Sequence, residues 1–177
     1  SMLRGVIVPP ERGDTQFVDM RKVYEALPEA MKARIEGLVA EHSFAASRIK
    51  GGVVASEADR IKAIIPGAKH PLVRTSPSGR KSLLVGSHAY RIDGMEDEEA
   101  TALLKELLDF ASQQRFIYSH KWRQGDMLVW DNRYALHRGT EFDYVNHKRD
   151  LRRANVNEYG EERSATAAPL SAVAAGM

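Results

Sequence analysis

Three short stretches in the last third of the chain alternate apolar and polar residues. They cover residues 116–122, 127–130 and 151–156, and the turn Gln124-Gly125-Asp126 separates the first two. Alternation with a period of two is typical of antiparallel strands that bury one face only. The pattern predicts a mostly β fold, an antiparallel sheet or jelly roll, with a few helices packed outside it.

Two helices are predicted near the start of the chain. Asp19 is a good N-cap for a helix over residues 20–27. Pro28 suits the first turn of a second helix, and its apolar periodicity continues to about His42. The strands expected to precede these helices cover residues 3–8 and 16–18.

The middle of the chain predicts a long loop. Residues 43–69 contain Gly51-Gly52 and have weak periodicity, with one or two helical turns expected at 57–64. A loop of this length in a compact domain is often a functional lid, so we expect a mobile segment. Beyond it the sequence predicts a hairpin from residues 70–75 and 82–86, and a helix from its cap Asp97 to about Ser112.

The length and the C-terminal composition predict one domain. A chain of 177 residues is long enough for one substantial core. From Glu158 onward the residues are mainly Ala, Ser, Gly and charged types, with too little apolar surface to fold alone. We therefore expect a domain over residues 1–157 and a flexible tail over 158–177.

Composition excludes several classes of function. The chain has no cysteine, which excludes disulfides, thiolate zinc sites and cysteine nucleophiles. The net charge of +2 and the scattered basic residues argue against a nucleic-acid partner. No apolar run approaches the roughly 20 residues of a membrane-spanning helix. The absence of cysteine also fits a cytoplasmic protein, which is our expectation.

The candidate site consists of one histidine and two arginines. His137 lies at the end of a predicted strand, and Arg149 and Arg153 follow it, four residues apart, so that both point to one face of a strand. A neutral imidazole can bind iron, and each guanidinium can clamp a carboxylate. Together they predict a site for iron and two organic acids. The alternatives are a structural histidine and a solvated basic face that includes Lys148 and Arg152.

Thr15 is a further candidate in the turn Gly13-Asp14-Thr15. Its hydroxyl is able to satisfy its own turn, the usual role of such residues. If this turn lies in the same pocket, the hydroxyl is instead expected to hydrogen-bond a carboxylate beside Arg149.

Seven short motifs occur in the order that is found in a known family. The series resembles the TauD/TfdA family of iron(II)- and 2-oxoglutarate-dependent dioxygenases over about residues 3–156, and looks more like its 2,4-dichlorophenoxyacetate dioxygenase branch than its taurine branch. The resemblance implies a double-stranded β-helix, which is a form of jelly roll. The motifs are residues 13–15, 38–43, 70–75, 79–83, 120–122, 130–133 with His137, and Arg149 with 152–154.

The resemblance implies a role for each candidate residue. His137 corresponds to the distal histidine of a two-His-one-carboxylate iron site. Arg149, assisted by Thr15, corresponds to the residue that pairs with the far carboxylate of 2-oxoglutarate. Arg153 corresponds to the residue that holds the acid group of the prime substrate. His88 either faces the substrate or is an ordinary surface histidine.

The family chemistry uses Fe(II), O2 and 2-oxoglutarate to hydroxylate a small carboxylate substrate. 2-Oxoglutarate is oxidatively decarboxylated to succinate, and hydroxylation beside an ether oxygen cleaves the ether of an aryloxyalkanoate. Two alternatives stay open. One is a dioxygenase for sulfonates or alkyl sulfates, since an arginine holds either anion. The other is a catalytically inactive relative that acts as an acid-binding or oligomer-forming module.

One departure from the family pattern concerns the metal. The family takes its other two iron ligands from a His-x-Asp motif, yet none of the six histidines here has an acidic residue at the second position after it. The resemblance places the motif upstream of Gly13-Asp14-Thr15, before Ser1. We therefore expect an N-terminally incomplete domain that binds iron poorly and does not turn over by itself.

Three accounts of this departure are open. The favoured one is a fragment of a longer enzyme; the others are a second chain that lends ligands in a domain swap and a genuine short relative without redox chemistry. Missing early strands would leave sheet edges and core surface uncovered, which predicts a homo-oligomer.

Overall fold

The computed structural model describes residues 1–50 and 67–156, and these residues are mostly β with flanking helices. The predicted helical turns at 57–64 and the predicted tail at 158–177 lie outside the described residues. The helices are α1 (Met20–Ala26), α2 (Glu29–Ile35), α3 (Phe44–Lys50) and α4 (Asp97–Ala111), with a 3₁₀ turn at Gln114–Phe116. The strands are β1 (Met2–Ile7), β2 (Thr15–Asp19), β3 (Val39–His42), β4 (Ala68–Pro71), β5 (Val73–Thr75), β6 (Lys81–Leu83), β7 (Ala89–Ile92), β8 (Ile117–His120), β9 (Met127–Val129), β10 (Ala135–Gly139) and β11 (Asp150–Ala154).

The strands form three small sheets and one hairpin, and every pairing is antiparallel. The three-stranded sheets have the orders β11-β1-β9, β10-β2-β8 and β4-β3-β7, and β5 pairs with β6. Each sheet is open, with two edge strands, within the ranges that the structure describes. The predicted antiparallel architecture is therefore confirmed. The predicted hairpin is present but shorter: it pairs residues 73–75 with 81–83, residues 70–71 belong to β4, and residues 84–86 are not strand.

The apolar core lies on the helical side of the molecule. Helix α4 packs against β7 and α1, and α1 packs against β6. The apolar face of α4 predicted from its periodicity is buried, with Leu103 and Leu107 fully inaccessible to solvent. Among the described helices, none combines the length and apolar character that crossing a membrane requires.

The predicted second helix is too long, and residues 39–42 form a strand instead. Helix α2 ends at Ile35, and Gly37 has a φ of 75°, the left-handed conformation with which glycine commonly terminates a helix. Strand β3 then pairs with β4 on one side and β7 on the other. These long-range backbone hydrogen bonds outweigh the local helical periodicity that residues 38–42 share with α2.

Two further predictions need correction in the described residues. Residues 44–50, predicted as loop, form α3, and the sequence pattern did not predict β7. The N-cap of α4 is Glu96 rather than Asp97. The carboxylate of Asp97 accepts hydrogen bonds from the guanidinium of Arg91 at 2.9 and 3.1 Å, so it serves an ion pair and not a cap. The predicted cap of α1 is confirmed, because Asp19 Oδ1 accepts from the backbone N–H of Arg21 at 3.0 Å.

Candidate functional site

Strand β2 brings the predicted site residues onto one face of the β10-β2-β8 sheet. Phe17 lies opposite His137 on β10, and Thr15 lies opposite His120 on β8. Residues two apart on a strand share a face, so Thr15, Phe17 and His137 lie on the same side of the sheet. His137 lies within β10 rather than at the end of a strand as predicted, because pairing with β2 continues as far as Gly139.

The ring of His137 packs beside two aromatic side chains. Its centroid lies 4.9 Å from that of Trp130 and 6.2 Å from that of Phe17. This partial burial lowers the pKa of His137 below its usual range, and the charges of Arg153 and the N-terminus lower it further. The neutral imidazole, the form that can bind a metal ion, is therefore favoured near pH 7.

Thr15 and Arg149 are joined directly. Arg149 Nη2 donates to Thr15 Oγ1 at 3.3 Å, and Arg149 Nε donates to the carbonyl oxygen of Gly13 at 3.0 Å. Gly13 has a φ of 71°, and a Cβ there would lie 2.9 Å from Pro9 Cγ and 3.4 Å from Arg149 Cδ. The turn therefore requires glycine both for its backbone conformation and for the close approach of Pro9, while Arg149 packs at ordinary contact distance.

Strand β11 separates its basic residues between two faces. Arg149 and Arg153 are four residues apart and share one face, whereas Arg152 lies on the other, where its Nε is 3.1 Å from Asp150 Oδ1. Arg153 lies opposite Leu3 of β1 and close enough to His137 to lower its pKa. Arg152 and Arg153 are both exposed, but only Arg153 is close enough to His137 to lower its pKa, and Arg149 instead contacts Thr15 and Gly13.

Neither of these two arginines forms an ion pair with an acidic side chain in the part of the chain that the structure describes. Arg149 is half-buried, and burial lowers the pKa of its guanidinium, which nevertheless stays charged at any physiological pH. A partly buried cation without a counter-ion is costly, so Arg149 provides positive charge for an anion, whereas Arg153 is exposed to solvent. Several other arginines are paired with acids, among them Arg21, Arg34, Arg80, Arg91 and Arg152.

A cleft of about 670 Å³ opens beside the aromatic side chains of the site. Phe17, Tyr118 and Trp130 line it together with Arg21 and Arg115. Thr15, His137, Arg149 and Arg153 are not part of its lining.

Residues 1–155 match the family model described as "Taurine catabolism dioxygenase TauD, TfdA family". The chain belongs to this family. It is 47% identical over 158 residues to the alpha-ketoglutarate-dependent 2,4-dichlorophenoxyacetate dioxygenase of Cupriavidus pinatubonensis, a match that covers 88% of this chain and 54% of that protein. It is 33% identical over 163 residues to an alkylsulfatase of Acinetobacter baylyi, covering 88% of this chain and 51% of that protein.

A solved structure of similar fold is the crystal structure of AAD-2 in complex with Mn(II) and N-oxalylglycine. Its TM-score is 0.78 at 40% sequence identity, and the match covers 85% of this chain and 60% of that one. The resemblance to the TauD/TfdA family and to its 2,4-dichlorophenoxyacetate dioxygenase branch is therefore confirmed. The chain spans about half the length of the curated relatives it matches.

The TauD/TfdA chain does not contain a complete iron site in its described residues. No group of three or more His, Asp or Glu side chains is placed there to hold a metal ion, and the sequence has no His-x-Asp motif. A facial triad needs three protein donors, and the family resemblance assigns one of them, His137, within the described residues. The residues present do not by themselves fit the iron that the family implies.

The contacts of His88 are with α3 and the residues that flank it. Its Nδ1 lies 2.8 Å from Ser47 Oγ, and its ring centroid is 5.6 Å from that of Phe44. Its carbonyl oxygen accepts from the backbone N–H of Ser43. The structure thus associates Thr15, His137, Arg149 and Arg153 with one another and His88 with α3, and a role for His88 toward the substrate stays a prediction.

The sequence analysis missed two residues that support Thr15. Trp122 donates its indole N–H to Thr15 Oγ1 at 2.9 Å, and Gly5 on β1 allows the indole to approach, since a Cβ there would lie 3.2 Å from Trp122 Cε3. A glycine inside a strand often marks such a close approach, so Gly5 was an available signal. Trp122 was recognised only as part of a family motif.

Proposed function

We propose that this chain is the acid-binding portion of an iron(II)- and 2-oxoglutarate-dependent dioxygenase that acts on a small carboxylate. One observation carries the proposal: Arg149 and Arg153 have no acidic partner among the described residues, and Arg149 is bonded to Thr15 while Arg153 on β11 lies near His137. Two guanidiniums at one imidazole suit two acids held around one metal ligand. Membership of the TauD/TfdA family supports the same conclusion.

The roles follow from the contacts of each residue. Arg149 and the hydroxyl of Thr15, which lie within hydrogen-bond distance of each other, would hold the far carboxylate of 2-oxoglutarate. Arg153 would hold the acid group of the prime substrate near His137. An aryloxyalkanoate is the proposed substrate class, since the relative from Cupriavidus pinatubonensis acts on 2,4-dichlorophenoxyacetate.

The proposed overall reaction consumes one O2. One oxygen atom enters succinate as 2-oxoglutarate loses CO2, and the other becomes the hydroxyl group of the substrate. If that hydroxyl lies on an ether carbon, the hemiacetal breaks down to a phenol and a carbonyl compound. The contribution of this chain is to orient the two acids. His137 would supply one iron ligand, and the remaining ligands have to come from outside the described residues.

Several finer features are part of the same proposal. The open sheets β11-β1-β9 and β10-β2-β8 belong to a double-stranded β-helix, and the domain covers residues 1–157 with residues 158–177 as a tail. A homo-oligomer in the cytoplasm is expected, with no nucleic-acid partner and no membrane partner.

Succinate formation tests the enzymatic proposal. The chain would be incubated with Fe(II), 2-oxoglutarate, O2 and a panel of acids, beside a version extended at its N-terminus by a segment that carries a His-x-Asp motif. We expect the extended version alone to form succinate. If both versions form no succinate with any acid although 2-oxoglutarate binds, the alternative of an inactive acid-binding module is favoured. The incomplete set of iron ligands in the described residues supports the same alternative.

A second alternative is a sulfonate or alkyl sulfate substrate. It is supported by the 33% identity to the alkylsulfatase of Acinetobacter baylyi, and the guanidinium of Arg153 binds a sulfate as readily as a carboxylate. Succinate formation that is stimulated by an alkyl sulfate and not by 2,4-dichlorophenoxyacetate would select this substrate class.

Substitution of each arginine tests whether Arg149 binds 2-oxoglutarate and Arg153 binds the prime substrate. Arg149→Ala should weaken 2-oxoglutarate binding by about a hundredfold, because it removes charged hydrogen bonds to the ligand, and Arg153→Ala should weaken 2,4-dichlorophenoxyacetate binding by a similar factor. Calorimetry with each acid measures both. Arg152→Ala is the matched control, since Arg152 lies on the opposite face of β11 and pairs with Asp150. Equal losses of both ligands in both variants would contradict the assignment.

A further inference from the structure

Thr15 Oγ1 accepts hydrogen bonds from two groups that are able only to donate. Trp122 Nε1 lies 2.9 Å away and Arg149 Nη2 lies 3.3 Å away, and both indole and guanidinium groups are donors only. A hydroxyl has two acceptor lone pairs and one donor hydrogen, so both lone pairs are engaged. The hydrogen itself meets no acceptor among the described residues.

This unmatched donor is buried. Thr15 is 2% exposed and Trp122 is 8% exposed. A buried O–H without an acceptor costs free energy, which a bound oxygen acceptor would recover. Arg149 Nη2 donates to the same oxygen atom, so an acceptor bound beside Thr15 would meet a hydroxyl donor next to a positive charge.

The direction of the indole N–H is fixed by its surroundings. The ring of His120 lies edge-on to the indole, with centroids 4.9 Å apart and an interplanar angle of 86°. His120 Nε2 lies 3.0 Å from Asp126 Oδ2, which also accepts from the backbone N–H of Arg123 at 2.9 Å. The indole also packs against Gly5, so closely that a Cβ on Gly5 would lie 3.2 Å from Trp122 Cε3. Trp122 therefore has little freedom to turn away from Thr15.

We propose that Trp122 is a positioning residue: by occupying a lone pair of Thr15, it makes the hydroxyl a donor toward the far carboxylate of 2-oxoglutarate. This inference rests on the proposed function, which places that carboxylate at Arg149. Thr15 and Arg149 would both donate hydrogen bonds to the ligand. Such a site favours an ionised carboxylate, which only accepts hydrogen bonds, over an amide or a protonated acid, which also donates them. Trp122 thus contributes to selectivity for a dicarboxylate without contacting it.

A double-mutant cycle tests the proposal. Trp122→Phe removes the N–H and keeps an aromatic ring, and Thr15→Val removes the hydroxyl at nearly constant shape. The dissociation constant of 2-oxoglutarate for the 177-residue chain is measured by calorimetry for the wild type, each single variant and the double variant. We expect each single variant to bind about tenfold more weakly, the size expected for one hydrogen bond to a charged group. The double variant should bind no more weakly than Thr15→Val alone.

The outcomes separate this inference from the function on which it rests. A wild type that binds no 2-oxoglutarate overturns both. A wild type that binds, beside a Trp122→Phe variant that binds equally well, overturns the positioning role alone. A loss on Trp122→Phe that is undiminished in the Thr15→Val background also overturns it, because Trp122 then acts on the fold and not through the hydroxyl.

Hydrogen exchange on the wild type gives a readout that does not depend on a variant folding. The chain has two tryptophans, and their indole N–H signals are separable by nitrogen-15 NMR. The Trp122 N–H, buried and bonded to Thr15, should exchange far more slowly than that of Trp130, and its signal should shift on addition of 2-oxoglutarate. Equally fast exchange, or no shift at saturating ligand, would overturn the proposal.

Discussion

The two halves of the molecule are stabilised in different ways. The packed half comprises helices α1, α2 and α4, the β5-β6 hairpin and the β4-β3-β7 sheet, and it contains most of the buried apolar side chains. The site half comprises the β11-β1-β9 and β10-β2-β8 sheets. Several large apolar side chains of the site half are exposed instead, among them Tyr118, Met127 and Val129.

This difference indicates a division between scaffold and site. A contiguous apolar core gives the packed half its free energy of folding. In the site half, polar contacts such as Trp122–Thr15–Arg149 hold functional groups in place. Arg149 and Arg153 have no acidic partner within residues 1–50 and 67–156. A side chain that must bind a ligand cannot have all of its hydrogen-bond and ion-pair partners within the fold. We therefore expect the site half to be packed less tightly than the packed half.

Truncation of one apolar side chain in each half gives the largest expected contrast. Leu107→Ala in the packed half should lower the free energy of unfolding by about 2–5 kcal/mol, because Leu107 is fully buried and leaves a cavity. Met127→Ala in the site half should change it by less than about 0.5 kcal/mol, because Met127 is 64% exposed. Urea denaturation of both variants measures the contrast, and similar losses would show that the halves are equally packed.

The same contrast explains which elements the sequence could predict. Helices α1 and α4 and strands β8, β9 and β11 have local signals, in the form of caps, turns and periodicity. Strand β3 was read as helix because its apolar residues also fit a helical period, and only its pairing with β4 and β7 decides between the two. Such pairing depends on residues far away in sequence, which a local pattern does not contain.

The second prediction compares two histidines through their response to acid. In the packed half, the pKa of His42 is lowered to about 4, mainly by burial and to a smaller extent by the charges of His70, His88 and Arg74. Its Nε2 has no hydrogen-bond partner among residues 1–50 and 67–156. As pH falls from 6.5 toward 4, the unfolded chain takes up a proton that the folded chain does not, so stability falls in that window.

His42→Phe should therefore recover up to about 3 kcal/mol of the stability lost between pH 6.5 and 4. His137→Phe in the site half should recover less: the pKa of His137 is lowered in the same direction, but the residue is more exposed to solvent than His42. Denaturation curves at several pH values measure both. An unchanged pH dependence in His42→Phe would show that other groups cause the acid sensitivity.

For the site, the sequence suggested candidate residues but not the contacts between them. Residue types and spacing suggested His137, Arg149 and Arg153, the turn Gly13-Asp14-Thr15 suggested Thr15, and the family resemblance implied a role for each. The hydrogen bond from Trp122 to Thr15 spans 107 residues, and Gly5 brings β1 against the segment that follows β8. Contacts of this kind depend on how the sheets face each other, and neither periodicity nor motif spacing specifies that arrangement.

The smallest expected effect concerns association through the site half. Met127 and Val129 are 64% and 68% exposed on the outer face of the edge strand β9, and exposed apolar edge strands favour contact between copies. Met127→Lys combined with Val129→Lys should make the protein more monomeric in light scattering over a concentration series, with the free energy of unfolding changed by less than about 0.5 kcal/mol. Thr101→Lys combined with Gln113→Lys adds the same charge to exposed positions on and just beyond α4 and should leave association unchanged. A wild type that is monodisperse and monomeric at all concentrations would contradict the prediction of a homo-oligomer. The face of β9 that carries Met127 and Val129 would then be exposed to solvent in the functional protein.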